Sequence, residues 1–171
     1  MGEKTRPHIL FVCTGNIFRS LSAELAVRAA SLRSGLHYRF SSAGTDGGAP
    51  RLIDPFVRET LANLGLDSSL HAPRLLTRDM LEASDLAVAM HIEHQDFIRR
   101  GFGLNVPLFR EVAGREPFVL PDVDEAVPDF ETNSKARNAY IADVVRSIAA
   151  DSNAFLARIP AYLSNTDKLP L

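Results

Sequence analysis

One stretch constrains the fold of this chain more than any other: "HILFVCTGNIFRSLSAELAVRAASLR", at residues 8–33. Residues 8–13 form a short apolar run rich in strand-forming side chains, and residues 20–33 carry apolar side chains at helical spacing. The connection between them, residues 14–19, is a tight loop. A strand, a tight loop and a helix are the building unit of an α/β fold with parallel strands.

Three further segments predict strands. Residues 38–44 alternate apolar and polar side chains, residues 85–90 form a buried apolar run, and "NVPLF" at residues 105–109 predicts one more short strand. The order of strands and helices along the chain implies parallel strands joined by right-handed crossovers. Ligands of such sheets bind at the carboxyl ends of the strands, where the loop after residue 13 lies.

Four later segments predict helices. Asp54 caps one helix and Thr77 caps the next. A third helix ends at Gly101, and a long C-terminal helix covers residues 134–163, with Pro160 ending or bending it.

We therefore expect a single α/β domain over residues 1–171. It should contain a parallel sheet of about four strands, helices on both faces, and a phosphate-binding loop after the first strand. A chain that is 46% hydrophobic can bury the core that one domain of this length requires. Flexible ends are expected at about residues 1–7 and 164–171.

Charge and cysteine content limit the partners and the compartment. The net charge is -2, from 19 Lys+Arg and 21 Asp+Glu, so no overall basic field would hold nucleic acid or an anionic membrane. A single cysteine cannot form an internal disulfide, which fits the reducing cytoplasm. No stretch approaches the roughly 20 apolar residues of a membrane span. We expect a cytoplasmic protein without nucleic-acid or membrane partners, whose oligomeric state the sequence leaves open.

The loop after the first strand has the features of an anion site. Unpaired amides and the positive end of the helix dipole favour an anion at a helix N-terminus. Gly15 and Asn16 tolerate the left-handed backbone that such a loop needs, and Arg19 presents a planar fork to two oxygens of a tetrahedral oxyanion. The same field favours the thiolate form of Cys13, a nucleophile for phosphoryl transfer. The alternative is that Cys13 is only a small buried hydrophobe.

The motif "CTGNIFRS", residues 13–20, resembles the active-site loop of the low-molecular-weight protein tyrosine phosphatases, whose pattern is C-x-x-x-x-x-R-S with Gly and Asn inside. The resemblance continues through "SSAGTDGG" and "DPFVRETLANLGLDSSLHAPRLLTRDMLEASDLAVAM", and it is loose beyond about residue 100. It implies a cysteine-dependent protein tyrosine phosphatase that acts through a cysteinyl-phosphate intermediate and needs no metal and no other cofactor.

The resemblance also implies roles for individual residues. Cys13 would attack phosphorus, Arg19 would clamp the equatorial oxygens, and Ser20 would donate a hydrogen bond to the thiolate. Asn16 would hold the loop in shape, together with two residues outside it, Ser42 and His71. The phosphate-binding loop would consist of Thr14, Gly15, Asn16, Ile17, Phe18 and Ser20.

The general acid is the point at which this chain departs from the family. The family uses the Asp of an Asp-Pro pair before the last helix and places aromatic residues after it, whereas this chain has "FVLPDVDEAVPDFE". Asp122 fits best because it follows an apolar run, and Asp124 is the alternative acid. The extra carboxylates raise the cost of binding a dianion, so the choice of substrate stays open.

We therefore expect hydrolysis of a phosphorylated protein or a small phosphomonoester, most simply at phosphotyrosine. One enzymatic alternative is arsenate reduction, which would need external thiols. Another is a phosphoarginine phosphatase, although that branch prefers Thr where this chain has Ile17. A non-catalytic phosphate-binding or phosphoprotein-binding module is the alternative outside enzymes. His91 and His94 could suggest a metal, but their spacing is more typical of a solvated helix face.

Overall fold

The computed structural model describes residues 6–49 and 52–164. These residues contain one sheet of three parallel strands in the order β2-β1-β3. The strands are β1 (His8–Cys13), β2 (Arg39–Gly44) and β3 (Leu86–Ala89). The prediction of an α/β fold with a parallel sheet is confirmed, and the central position of β1 puts Cys13 at the middle of the carboxyl edge.

Helices occupy most of the remaining described chain. They are α1 (Arg19–Arg33), α2 (Pro55–Asn63), α3 (Arg78–Glu82), α4 (Ile92–Phe102), α5 (Phe109–Ala113), α6 (Val123–Ala126) and α7 (Ser134–Ser164). Local signals start two of them as expected, because the side chain of Asp54 accepts from the amide of Phe56 and that of Thr77 from the amide of Met80.

Helices cover both faces of the sheet. Successive side chains of β1 point to opposite sides, so this strand contributes to the apolar cluster on each face. Phe11 packs in a large apolar cluster with residues of α1, α5 and α7, and its ring centroid lies 5.5 Å from that of Phe155. Leu10 and Val12 pack on the other face with Leu81 of α3 and Ile98 of α4. The predicted arrangement of helices on both faces is therefore confirmed.

The expectation of about four strands is corrected to three among the described residues. The segment "NVPLF" makes only a single-residue bridge between Leu108 and Ala89 of β3. Pro107 has no amide hydrogen, and the amide of Leu108 donates to the side chain of Glu111 at 3.0 Å. Phe109 then begins α5, so no ladder of hydrogen bonds forms.

One helix end differs from expectation, and another agrees with it to within one residue. Gly101 lies inside α4, which ends at Phe102, and Gly103 adopts the left-handed conformation with φ 72°. The helix α7 continues through Pro160 to Ser164, because Ile159 beside the proline is fully buried and holds this turn against the core. The C-terminal helix therefore has almost the predicted bounds of 134–163, with Pro160 inside it, whereas α4 extends one residue past Gly101.

Most of the two expected flexible ends, residues 1–5 and 165–171, lies outside the described residues. Within residues 6–49 and 52–164, no helix combines the length and the apolar character that crossing a membrane requires.

Candidate active site

The loop between β1 and α1 brings the predicted site residues together. Asn16 is fully buried and takes a left-handed backbone, with φ 57°. Phe18 precedes the first helical residue and provides no side-chain cap, so the amides at the start of α1 stay available to a ligand. The side chain of Phe18 is buried and belongs to the large apolar cluster.

Asn16 is held from several directions. Its Oδ1 accepts from the amide of Arg74 at 3.0 Å, and its main-chain oxygen accepts from Nε2 of His71 at 2.7 Å. An oxygen that accepts from an amide must be the carbonyl of the side chain, so the Asn16 nitrogen Nδ2 is a donor. It donates to Ser20 Oγ at 2.9 Å and to Ser42 Oγ at 2.8 Å.

These donations fix the direction of the next hydrogen bonds. Ser42, having accepted from Asn16, donates its hydroxyl hydrogen to the carboxylate of Glu24, which also pairs with Arg28. Ser20 likewise accepts from Asn16, and its remaining polar neighbour is Cys13 Sγ, 3.0 Å from Ser20 Oγ. The hydroxyl of Ser20 therefore donates to the sulfur of Cys13.

The loop also lies directly against the end of β2. A Cβ at Gly44 would come within 2.5 Å of the main-chain oxygen of Thr14 and 3.1 Å of the amide of Asn16. Only a residue without a side chain allows this approach. The backbone of β2 therefore supports the floor of the loop.

Arg19 is buried and makes contacts on three sides. Its Nη1 donates to the main-chain oxygen of Leu120 at 2.8 Å, and its Nη2 donates to Thr14 Oγ1 at 3.2 Å and to the carboxylate of Asp122. Its Nε is buried and has no hydrogen-bond partner among the residues that the structure describes. A buried guanidinium donor without a partner is costly, and an oxyanion bound beside Cys13 would satisfy it.

The two candidate acids are placed differently. Asp122 lies at the N-terminus of α6, accepts from the amide of Val123 at 2.8 Å and pairs with Arg19. Asp124 is exposed and has its Oδ1 turned to the amide of Glu125 at 2.9 Å. Both line the same pocket, but only Asp122 contacts Arg19. This geometry favours Asp122, and its role as acid stays a prediction.

The loop forms one wall of a pocket of about 640 Å³. Its lining is mainly apolar beyond the loop and includes Leu52, Ile53, Val57, Val123, Phe130 and Ile141. An ion pair also lines the pocket, with Arg137 Nη2 3.5 Å from Asp54 Oδ2. The volume suits a small molecule or one amino-acid side chain, since ligand sites are commonly about 300–1,000 Å³.

His94 corrects the interpretation of a solvated helix face. The side chain is 1% exposed, and its Nε2 lies 3.0 Å from Thr14 Oγ1. Burial and the nearby charge of Arg19 lower the pKa of His94 to about 3, so the ring is neutral near pH 7. His91 instead caps α4 and lies 3.7 Å from a carboxylate oxygen of Glu125.

Among residues 6–49 and 52–164, no three His, Cys, Asp or Glu side chains are grouped so as to hold a metal ion.

The sequence analysis did not identify several residues that support the site. Tyr140 fixes the segment before Asp122, because its hydroxyl donates to the main-chain oxygen of Pro121 at 2.6 Å, and burial raises the pKa of Tyr140 to about 12. Glu24 and the amide of Arg74 were missed as well, since nothing local marks a residue that contacts a distant loop.

This chain is similar to known phosphatases in its sequence and in its fold. Residues 8–116 match the family model described as low molecular weight phosphotyrosine protein phosphatase. A protein-arginine-phosphatase of Bacillus subtilis is 34% identical over 95 residues, 56% of this chain and 63% of the relative. The low molecular weight protein-tyrosine-phosphatase Etp of Escherichia coli is 38% identical over 86 residues, 50% of this chain and 55% of that protein.

These curated relatives are thus matched over little more than half of their own length. A solved structure of a YwlE mutant from Bacillus subtilis has 25% identity, a TM-score of 0.74, and covers 90% of this chain and 99% of its own. The segment that carries Asp122 lies beyond the family match, so its placement rests on the contacts described above. Because the family match covers more than half of the sequence, this chain belongs to the low molecular weight phosphotyrosine protein phosphatase family.

Proposed function

We propose that this protein hydrolyses phosphomonoesters through a cysteinyl-phosphate intermediate, and that phosphotyrosine in proteins is its substrate. The observation that carries the proposal is the arrangement of Cys13 and Arg19. The sulfur accepts a hydrogen bond from Ser20. The guanidinium of Arg19 lines the same pocket, and its buried Nε has no partner in the described part of the chain. This pairing suits a tetrahedral oxyanion in contact with a thiolate.

In the first step, the thiolate of Cys13 attacks phosphorus and the bond from phosphorus to the ester oxygen breaks. Asp122 gives its proton to the leaving oxygen. The phosphoryl oxygens compete with Asp122 for Nη2 of Arg19, so binding of the substrate frees the acid from its ion pair. Loop amides and Arg19 stabilise the charge that develops on the oxygens.

In the second step, water attacks phosphorus and the phosphorus–sulfur bond breaks. Asp122, now a carboxylate, takes the proton of the water, and Cys13 leaves as a thiolate. The hydroxyl of Ser20 donates to the sulfur and stabilises it as leaving group. The proposed chemistry needs no metal and no organic cofactor.

The pocket supports an aryl phosphate over a phosphoguanidine. Ile53, Val123 and Phe130 give an apolar surface that suits a phenol ring, and Ile17 lines the pocket as well. A phosphoarginine phosphatase is the second candidate, because the Bacillus relative with that name is 34% identical to this chain. It ranks lower because Ile17 offers a guanidinium no hydrogen-bond acceptor.

Two other candidates have less support. A phosphate-binding module needs no acid, yet Asp122 contacts Arg19 inside the pocket. Arsenate reduction would require external thiols, because the chain has one cysteine. The cytoplasmic location and the absence of nucleic-acid and membrane partners stay predictions from the sequence.

Hydrolysis of p-nitrophenyl phosphate by the wild-type protein and by Cys13→Ser tests the reaction. We expect turnover only with the cysteine, and both proteins should bind orthophosphate. Equal rates in the two proteins would end the enzyme proposal, and orthophosphate binding without turnover by the wild type would favour the binding module.

Matched peptides that carry phosphotyrosine or phosphoarginine test the substrate. We expect higher kcat/KM on phosphotyrosine, and Ile17→Thr should shift the ratio toward phosphoarginine because its hydroxyl can accept from a guanidinium. Ile17→Val, which removes only one methylene, is the control and should keep the preference. A wild-type preference for phosphoarginine would contradict the assignment.

A further inference from the structure

The hydroxyl of Thr14 lies between Arg19, which has a role in the proposed chemistry, and His94, which has none there. Arg19 Nη2 lies 3.2 Å from Thr14 Oγ1, and His94 Nε2 lies 3.0 Å from the same oxygen. Thr14 lines the pocket together with Cys13, whereas His94 is buried behind it. The hydrogen bond to Thr14 therefore links the ring of His94 to a residue of the pocket wall.

The charge and tautomer of His94 decide what Thr14 can do. A guanidinium only donates, so Arg19 occupies one lone pair of Thr14 Oγ1. The neutral ring of His94 carries its hydrogen on Nε2 or on Nδ1. Nδ1 is buried and finds no partner within residues 6–49 and 52–164. A buried N–H without a partner is rarer in proteins than an unsatisfied acceptor, which favours the hydrogen on Nε2.

With the hydrogen on Nε2, His94 donates to Thr14 Oγ1 and occupies its second lone pair. The hydroxyl hydrogen of Thr14 is then the only part of that group without a committed partner. Thr14 lines the pocket, so an oxyanion bound there is the acceptor that we expect for this hydrogen.

We propose that His94 is a positioning residue that directs the hydroxyl hydrogen of Thr14 into the pocket, where it donates to an oxygen of the bound phosphoryl group. The inference rests on the proposed function, because it takes an oxyanion beside Cys13 as the ligand. Thr14 thereby adds a side-chain donor to the loop amides and Arg19. A merely structural role would make His94 a buried residue whose loss lowers stability alone.

The first test is the tautomer of His94, read from the ¹⁵N chemical shifts of the two ring nitrogens of the wild-type protein near pH 7. We expect a protonated Nε2 and an unprotonated Nδ1. A hydrogen on Nδ1 would overturn the proposal, because Nε2 would then accept from Thr14 and withdraw its hydrogen from the pocket.

The second test is a double-mutant cycle on orthophosphate binding, measured by calorimetry in a Cys13→Ser background so that turnover is not required. We expect His94→Leu and Thr14→Val each to weaken binding by about three- to tenfold, the range for one hydrogen bond. In the presence of Thr14→Val, His94→Leu should weaken binding by less than about twofold, because the two act through one contact. Equal effects in both backgrounds would overturn the proposal.

Conservative variants separate positioning from folding. Gln at position 94 can place an amide donor near the former Nε2, so His94→Gln should bind orthophosphate more tightly than His94→Leu at a similar Tm. His91→Gln is the matched control on the same helix and should change binding by less than about twofold, since His91 does not contact Thr14. If His94→Leu does not fold, the comparison of Thr14→Ser with Thr14→Val decides: equal affinities would contradict a donated hydroxyl.

These results also separate the inference from the proposed function. Equal turnover by the wild type and Cys13→Ser would contradict the enzyme proposal. The double-mutant cycle would still be interpretable, because it measures orthophosphate binding and not turnover. Coupling between His94 and Thr14 would then still support a directed hydroxyl, and absence of coupling would reject it.

Discussion

Burial of a neutral His94 makes the stability of this protein depend on pH in a calculable way. The pKa of the ring falls from its ordinary value of 6.5 to about 3 in the folded protein, because burial and the charge of Arg19 disfavour the imidazolium. Between these two values the unfolded chain binds a proton that the folded chain does not. The contribution to stability is therefore complete above pH 6.5 and is lost progressively as the pH falls toward 3.

The size of the effect follows from the same two values. Lowering the pH from about 7.5 to about 5 protonates the histidine almost completely in the unfolded state and hardly at all in the folded state, which costs about 2 kcal/mol of unfolding free energy. Carboxylates elsewhere add their own pH dependence. A comparison with His94→Gln removes their share, because that variant keeps every other titratable group.

The assay is urea unfolding of the wild type and His94→Gln at several pH values over this range, with the free energy extrapolated to water. We expect the wild type to lose about 2 kcal/mol more than the variant across the range. If the unfolding free energies of the two proteins change with pH by the same amount, within the extrapolation uncertainty of about 0.5 kcal/mol, the reasoning is refuted. Such a result would mean that His94 becomes charged in the folded protein at an ordinary pH.

Further predictions concern the reacting groups. Arg19→Lys should lower kcat/KM at least ten- to a hundredfold in steady-state assays, on the order of one lost transition-state contact, because an ammonium cannot present two parallel donors. A change within about twofold would show that Arg19 does not contact the transition state. Asp122→Asn should slow phenyl phosphate by roughly 10²-fold and p-nitrophenyl phosphate less, whereas Asp124→Asn should not show this leaving-group dependence; the reverse pattern would assign the acid to Asp124. Peroxide should inactivate the wild type, bound phosphate should protect it, and late dithiothreitol should restore little activity, since the thiolate of Cys13 has no second cysteine to form a disulfide. Phe18→Cys should recover more fully; complete recovery of the wild type without any small thiol would contradict this account.

The parts of the fold that could be predicted are those specified by neighbours in the sequence. Asp54 and Thr77 cap their helices as expected, since a capping side chain acts on amides two or three residues away. The absence of a strand at residues 105–109 could not be predicted, because it depends on Glu111 taking the amide of Leu108. An apolar run alone does not reveal where its amides will be bound.

The site divides in the same way. The motif from Cys13 to Arg19 carries the loop chemistry within a few residues, and the structure brings those residues together as expected. His94 was misread, because its burial depends on how α4 lies against the loop rather than on its neighbours. The sequence already favours Asp122 over Asp124, but its contact with Arg19, which is distant in sequence, is visible only in the fold.

The contact between Arg19 Nη1 and the main-chain oxygen of Leu120 limits which sequence changes this chain can accept. A main-chain acceptor is present whatever side chain the position carries, so substitutions around Asp122 leave the guanidinium held. An insertion or deletion between α5 and α6 would move that oxygen and release the arginine into a buried space. We therefore expect the segment between α5 and α6 to accept changes of residue far more readily than changes of length, so that its composition can vary while the arginine keeps its position.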